Sequence, residues 1–216
     1  MRGDWVSKSY RIFRYRSKWQ RQINSKVSSH HIVREKQEPA LLILGLDSFD
    51  QELLGQLLEW SPTVIADAPI AEQLNAMGIK VDRVLGNDVG DVMQSDVTYI
   101  SVHGHTPLEA ALILLIGENY SAVNVIADDF DLNDYIPFVS QINLVILHQN
   151  KKVYAVTSGF TKWLPAGEEL TFLTQATDLI STGLSQQQNN KFTTTADGVI
   201  KLEFSNPFIF IAEAIS

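Results

Sequence analysis

The sequence predicts an α/β fold in two parts: a mostly parallel sheet flanked by helices, followed by an all-β sandwich. Between residues 40 and 141, short apolar runs alternate with helix-like segments, which is the order that builds a parallel sheet with helices on both faces. After about Asn143 the pattern changes to short strands separated by polar turns. The chain has 216 residues, of which 45% are hydrophobic and 19% charged, and it is therefore long enough to bury a substantial core.

In the first part, each predicted strand is a short apolar run that is followed by a helix start. Strands are predicted at residues 40–46, 63–67, 81–86, 97–102 and 123–128. Helices begin at capping residues or at prolines that suit a first turn: Ser48 or Asp50, Pro69, and Thr106 with Pro107. A shorter helix is predicted near Asp134 to Gln141.

In the second part, three segments are each predicted to form a pair of strands around a turn. They are residues 144–157, residues 161–174 around Pro165 to Gly167, and residues 191–204 around the hairpin-type pair Asp197-Gly198. Residues 207–215 are predicted as a last buried strand and residues 186–190 (QQQNN) as a loop. The predicted division is a basic extension at 1–36, an α/β nucleotide-binding-like domain at 37–141 and a β-sandwich domain at 142–216.

The charge distribution separates the N-terminal segment from the rest. Residues 1–26 hold eight of the 17 Lys and Arg residues and one of the 25 Asp and Glu residues, so residues 27–216 carry a net charge of −15. An acidic body of this kind repels nucleic acid, which we therefore do not expect as a partner. The segment itself is open to four interpretations: translation from too far upstream, a disordered tail, an arm for nucleic acid or membrane surfaces, or a transit-type peptide.

Composition also restricts the chemistry and the location. The chain has no cysteine, which excludes disulfides, thiol catalysis and thiolate metal sites and is compatible with the cytoplasm. No apolar run reaches the ~18 residues that cross a bilayer. The Walker phosphate loop, the G-x-G-x-x-G fingerprint and the G-x-S-x-G serine motif are all missing from the sequence. We therefore expect a cytoplasmic protein that is not embedded in a membrane.

Polar side chains cluster where the predicted strands end. Because ligands bind beyond the carboxyl ends of parallel strands, and carboxylates suit a hard cation such as Mg²⁺, these residues predict a Mg²⁺-phosphate site. The alternative is that they only form turns, since Asp and Asn favour turns. A transition-metal pair at His103 and His105 is a third interpretation. The clustered residues are Asp67, Asn87, Asp88, Asp91, Asp128, Asp129 and Asp131.

The segment from residue 64 to residue 91 resembles the thiamine pyrophosphokinase family. Ala66-Asp67 is similar to the first half of its alanine-aspartate-glycine-glycine turn, Gly78-Ile79 and Asp82 to its middle motif, and Gly86 to the start of its metal-binding loop. Farther on, a similar helix start is present at Thr106, Glu109 and Ala111. The resemblance runs from about residue 40 to the C-terminus. It implies an α/β domain followed by a β-sandwich, a homodimer, and transfer of diphosphate from ATP to thiamine with Mg²⁺.

The resemblance also implies roles for particular residues. Asp67 is the implied catalytic carboxylate and Mg²⁺ ligand, and Asp88 and Asp91 are the candidates to share these roles next to Asn87 and Val89, where the family has aspartates. Asp82, Thr106 and Asp128 are the implied cofactor-binding residues. Trp163, with Phe160 and Phe172, is a candidate contact for thiamine, because an aromatic face attracts a cationic ring. The alternative is that these rings only fill the core or a dimer contact.

Several positions depart from the family pattern, and they define a second hypothesis. Ala68-Pro69 replaces a glycine pair, so that the backbone approaches a phosphate less closely and loses one N–H donor. Asn87 and Val89 stand in place of aspartates, and Pro107 replaces another. The alternative to an active ATP:thiamine diphosphotransferase is therefore a catalytically silent, ligand-binding or regulatory homodimer on the same fold.

Overall fold

A mixed sheet of 11 strands runs through the protein. The computed structural model describes residues 38–47, 49–86 and 97–215. Six strands form the parallel half of the sheet, and their order across it is β6-β5-β1-β2-β3-β4. They are β1 (Ala40–Ile43), β2 (Val64–Asp67), β3 (Arg83–Leu85), β4 (Thr98–Ile100), β5 (Ala122–Ile126) and β6 (Asn143–His148).

Helices cover both faces of this half, as the alternating pattern predicts. They are α1 (Gln51–Glu59), α2 (Ala68–Ala76), α3 (Pro107–Gly117) and α4 (Leu132–Tyr135), the last continuing into a 3-10 turn at Ile136–Phe138. Leu41 and Ile43 of β1 pack in the core that contains α1 and α2, whereas Leu42 packs in the core that contains α3. The alternation explains why β1 is apolar at every position. The helix predicted near Asp134 to Gln141 is real but starts earlier and is shorter.

The antiparallel half extends the same sheet and is covered by a second one. β7 pairs with β6, and the order then continues through β14, β9 and β12 to β11 at the edge. The second sheet has three strands in the order β10-β13-β8. The strands of this half are β7 (Lys151–Val156), β8 (Phe160–Leu164), β9 (Glu169–Phe172), β10 (Ile180–Thr182), β11 (Leu184–Gln188), β12 (Lys191–Thr194), β13 (Gly198–Glu203) and β14 (Ile209–Ala214).

The two sheets enclose an apolar core, which confirms the predicted sandwich. The side chains of this core come from both sheets: Val156, Leu170, Phe172, Phe192, Ile209 and Ile211 from the large one and Leu164, Ile200 and Leu202 from the small one. Glu213, which is buried, binds Lys152 of its own sheet (2.7 Å) and Lys162 of the other (2.5 Å). An ion-pair network therefore joins the sheets beside the apolar core.

The strands of two predicted pairs are present but do not pair with each other, and part of one predicted loop belongs to a strand. β8 and β9 lie in different sheets, and so do β12 and β13, so the chain crosses between sheets at Pro165–Gly167 and at Asp197-Gly198. Asp197 accepts a hydrogen bond from the Ala166 N–H (2.7 Å) and thereby ties the two crossings together. The prediction failed because a local turn signal is the same for a hairpin and for a sandwich corner. Residues 186–188 extend edge strand β11 where a loop was predicted.

The predicted boundary between residues 141 and 142 falls inside this continuous sheet. β6 begins just beyond it and pairs in parallel with β5 over five residues. The described residues belong to one compact unit. None of the described helices has the length and hydropathy needed to span a membrane.

Candidate functional site

The strand order changes direction at β1, and this position defines the candidate site. From β1 the chain moves outward through β2, β3 and β4, then returns to place β5 on the other side of β1. At such a switch point the loops beyond the carboxyl ends of the two central strands diverge and leave a crevice. A cleft of about 560 Å³ lies there. It is lined by Leu44, Asp67, Thr106, Pro107, Leu108, Ala127, Asp129, Phe130, Asp131, Asp134 and Tyr135.

The charge of this cleft is entirely negative within the described part of the chain. Four of the lining side chains are aspartates, and none is lysine, arginine or histidine. The remaining polar lining residues are Thr106 and Tyr135. A cleft of this composition attracts cations and repels a bare polyphosphate.

Asp67 links the sheet to the cleft. It is the last residue of β2 and also the N-cap of α2, where its Oδ1 accepts a hydrogen bond from the Ile70 N–H (3.0 Å). Burial raises the pKa of the Asp67 carboxyl, and the bond from Ile70 opposes that rise. An ionised Asp67 is therefore stabilised by a cation placed in the cleft.

The start of α3 forms another wall, and its backbone donors are already in use. Thr106 and Glu109 form a capping box: the Thr106 hydroxyl accepts from the Glu109 N–H (3.2 Å), and the Glu109 carboxylate accepts from the Thr106 N–H (3.0 Å). Pro107 has no N–H. This helix start consequently offers fewer backbone donors to an anion than an uncapped one does.

At the switch point, the segments that follow β1 and β5 approach each other closely. Asp128, which follows β5, accepts a hydrogen bond from the Asp47 N–H (3.1 Å) in the loop after β1. Its carboxylate and backbone lie where a side chain of residue 45 would be: a Cβ on Gly45 would come within 2.6 Å of the Asp128 Cγ and 2.7 Å of its backbone nitrogen. Only glycine permits this approach.

An aromatic group forms the far wall of the cleft. The Phe130 ring lies edge-on between Tyr135 (6.3 Å between centroids) and His148 (5.0 Å). His148 ends β6, and its Nδ1 is hydrogen-bonded to the Ala127 carbonyl (3.0 Å). This bond and the ring contact fix His148 behind the wall, whereas Phe130 and Tyr135 line the cleft directly.

The structure brings some of the predicted residues together and leaves others apart. Asp67 and Thr106 line the cleft, and Asp128 stands beside it. Asp82 precedes β3 and therefore lies at the N-terminal ends of the parallel strands, away from the cleft. Its carboxylate accepts a hydrogen bond from the Val64 N–H (2.9 Å). Trp163 lies on β8 in the small sheet and is 61% exposed.

Other predicted site positions fall elsewhere. Asn87, Asp88, Val89 and Asp91 lie outside the described residues. For the alternative transition-metal pair, His105 lies 3.5 Å from Glu109. No cluster of three or more His, Asp or Glu side chains with metal-binding geometry occurs in residues 38–47, 49–86 and 97–215.

Several residues of the cleft are not identified by the sequence alone. Nothing in the sequence pattern singles out Asp134, Phe130 or Tyr135, and His148 falls at the polar turn that the sequence predicts within residues 144–157. The available signal is the segment ADDFDLNDY after β5, which combines four aspartates with two aromatic residues directly beyond a buried strand.

Comparisons with known proteins give the architecture a name. The sequence matches no family model and no curated protein, but 21 chains of solved structures match its fold. Thiamine pyrophosphokinase from Bacillus subtilis superposes with a TM-score of 0.58 over 83% of this chain and 100% of its own, at 11% identity. The fold is that of the thiamine pyrophosphokinases.

Two further structures of this fold show the same relationship. The enzyme from Geobacillus thermodenitrificans gives a TM-score of 0.59 at 12% identity over 82% of this chain and 98% of its own. The yeast enzyme gives 0.54 at 9% identity over 84% of this chain and 88% of its own. At such identities the likeness establishes the thiamine pyrophosphokinase fold, including its α/β and β-sandwich parts, and nothing further.

Proposed function

We propose that the protein binds ATP together with Mg²⁺ in the switch-point cleft and transfers a diphosphate group to thiamine. The observation that carries this proposal is an acidic cleft at the switch point of a thiamine pyrophosphokinase fold. Solved proteins with this fold are described as thiamine pyrophosphokinases in both bacteria and yeast. The identities are too low to transfer the activity, so the proposal depends on the cleft.

The donor chemistry of the cleft fits Mg²⁺. This ion takes oxygen ligands, keeps several waters, and is usually held by one or two carboxylates together with substrate phosphates. A large protein cage is therefore not required. Asp67 and Asp129, the latter in the segment after β5, would hold the ion together with the substrate phosphates. When bound, Mg²⁺ neutralises charge on the phosphoryl oxygens.

The chain's own residues would position the nucleotide. Asp67 is held in place by its bond to Ile70, so its carboxylate needs little reordering. Phe130 and Leu108 supply apolar surface on the cleft walls, and Leu44 and Ala127 line it where β1 and β5 end. Phosphoryl transfer depends mainly on such positioning and on electrostatics.

Thiamine would be held by the β-sandwich part of a homodimer in the cytoplasm. Trp163 supports this assignment because its ring is exposed and lies directly across from Val199 on β13, itself 59% exposed. The pair forms an apolar patch on the small sheet, and an indole face attracts a cationic ring. The net charge of residues 27–216 argues against nucleic acid as a partner.

A product assay tests the proposal. Purified protein is incubated with ATP, Mg²⁺ and thiamine, and both thiamine diphosphate and AMP are quantified. We expect the two products in equal amounts and a loss of about 100-fold or more in rate for Asp67→Asn. Asp178→Asn is the matched control, because Asp178 lies in the sandwich and accepts only from Ser205 (2.8 Å) among the described residues.

Asp67→Asn also has a stability signature. Because burial raises the pKa of Asp67, its ionised form costs stability above the unfolded-state pKa, and neutral asparagine removes that cost while remaining a good N-cap. The variant should therefore be at least as stable as the wild type at pH 7. A less stable variant that retains activity would refute the assigned role.

A second candidate function is a catalytically silent ligand-binding protein. The capped start of α3 favours it, because Thr106, Pro107 and Glu109 leave few backbone donors for a phosphate. This hypothesis predicts Mg²⁺-dependent nucleotide binding without AMP or thiamine diphosphate above the no-enzyme background. Formation of both products, abolished by Asp67→Asn, would exclude it.

A further inference from the structure

Tyr135 occupies an unusual position in the cleft. It is the last residue of α4 and is only 2% exposed, yet it lines the cleft. Its ring packs in the core beneath α3, with Leu108 and Leu112 in the same cluster. The ring is therefore a core element, and only its outer end can reach the open space.

The Tyr135 hydroxyl makes no hydrogen bond within the described part of the chain. Among the described residues, Tyr154 Oη is the one side-chain polar atom that is fully buried and has no hydrogen-bond partner. Tyr135 Oη also has no partner within this part of the chain, but it is not among the fully buried atoms. It is therefore in contact with open space. The cleft is the open space that Tyr135 lines.

Where it reaches the cleft, the Tyr135 hydroxyl has no protein partner among the described residues, so it is hydrated in the free protein and can bond to a ligand. Phenylalanine would fill the same space in the core but would remove this donor from the cleft. Burial and the charge of Asp134 raise the pKa of Tyr135 to about 12. The hydroxyl thus stays protonated at neutral pH and remains a hydrogen-bond donor in a cleft whose charged groups are acceptors.

The orientation of the ring is fixed from behind. Phe130 contacts Tyr135 edge-on and is itself held against His148, which is bonded to the Ala127 carbonyl. This arrangement keeps the hydroxyl at one position without a bond of its own. Such preorganisation is what a ligand contact requires, since little is lost in ordering the side chain on binding.

We propose that the Tyr135 hydroxyl donates a hydrogen bond to the nucleotide in the switch-point cleft, to either a phosphoryl oxygen or an acceptor of the nucleoside. The assignment rests on the proposed function, because it takes the ligand to be a nucleotide. Tyr135 is a ligand-contacting residue in this account, and Phe130 and His148 are positioning residues.

The test compares Tyr135→Phe with Tyr120→Phe in the full chain. Tyr120 is the matched control: it is similarly buried at 5% exposure, but its hydroxyl is bonded to Thr63 (2.8 Å) at the opposite edge of the sheet. Calorimetry with MgATP and with adenosine measures binding, and thermal unfolding without ligand measures stability.

We expect a crossed result. Tyr135→Phe should weaken MgATP binding about tenfold, which corresponds to about 1.4 kcal/mol, with a Tm close to that of the wild type, because no hydrogen bond within the described part of the chain is lost. Tyr120→Phe should bind normally and lose about 2–4 °C in Tm. Weakening confined to MgATP locates the contact at a phosphate, and equal weakening for adenosine locates it at the nucleoside.

Three outcomes overturn the assignment. If the wild type binds MgATP and Tyr135→Phe binds it within twofold, the hydroxyl does not contact the ligand, while the proposed function stands. If Tyr135→Phe loses as much Tm as Tyr120→Phe, the hydroxyl is a structural group. If the wild type binds neither probe, the proposed function fails and this assignment fails with it.

Discussion

Replacing Gly45 by alanine should force apart the segments that follow β1 and β5 at the switch point. A Cβ at this position would meet Asp128 at 2.6 Å from Cγ and 2.7 Å from the backbone nitrogen. Both distances are far below van der Waals contact, and one of the atoms belongs to the backbone, so a rotamer change of Asp128 cannot relieve the clash. The loops after β1 and β5 must separate, which also breaks the hydrogen bond from the Asp47 N–H to Asp128.

The magnitude follows from these two losses. Overpacking a well-packed site costs about 1–3 kcal/mol, and a lost hydrogen bond costs about 1 kcal/mol more. We therefore expect Gly45→Ala to lower the free energy of unfolding by about 2–4 kcal/mol. Nucleotide binding should weaken as well, because Leu44 and Ala127, which line the cleft, are in the same two loops.

Urea unfolding of three variants measures the effect. Gly55→Ala is the control for the chemical change, because Gly55 lies in α1 and a Cβ added there would have nothing within 4 Å. It should raise stability by about 1 kcal/mol. Adding Asp128→Ala to Gly45→Ala should recover only part of the loss, since the clash with the backbone nitrogen remains. Equal stability of Gly45→Ala and Gly55→Ala would refute this account of the switch point.

Two further predictions concern residues outside the cleft. Glu213→Gln should destabilise the protein by about 1–3 kcal/mol, less than a fully buried pair, because Lys152 and Lys162 remain partly exposed. Burial tends to raise the pKa of Glu213, but the bonds from both lysines outweigh this effect and lower the pKa. The stabilisation by the ionised Glu213 is therefore present above about pH 4.3 and is lost as the pH falls through the lower folded-state pKa. The difference in urea midpoint between wild type and Glu213→Gln should consequently narrow in acid. Asp82→Ala should lower stability by about 1 kcal/mol through loss of the bond from the Val64 N–H, with product formation within twofold of the wild type. A loss of activity like that of Asp67→Asn would instead support the nucleotide-binding role that the sequence resemblance implies for Asp82.

The parallel half of the fold could be predicted from the sequence because its signals are local. Apolar runs of strand length, Asp50 and Thr106 as helix caps, and prolines in first turns all have the meaning in the structure that they have in isolation. Asp67 was found in the same way, as the residue where a buried strand passes into a helix.

The sandwich corners and the aromatic wall could not be predicted because they depend on packing between distant segments. The turn at Asp197-Gly198 is compatible with a hairpin. In the structure, however, β13 pairs with β8 and buries Ile200 and Leu202 against the large sheet. His148 supports the wall of the cleft from behind only because β6 lies next to β5. No spacing in the sequence shows that neighbourhood.

Calorimetric titration of ATP with and without Mg²⁺ tests the central claim most directly. The claim is that a cleft lined by four aspartates, and by no basic side chain of the described residues, accepts a nucleotide only together with a divalent cation. It predicts measurable ATP binding in Mg²⁺ that disappears in EDTA and is strongly weakened by Asp67→Asn. Equal binding of ATP in EDTA, or no binding in Mg²⁺, would contradict it.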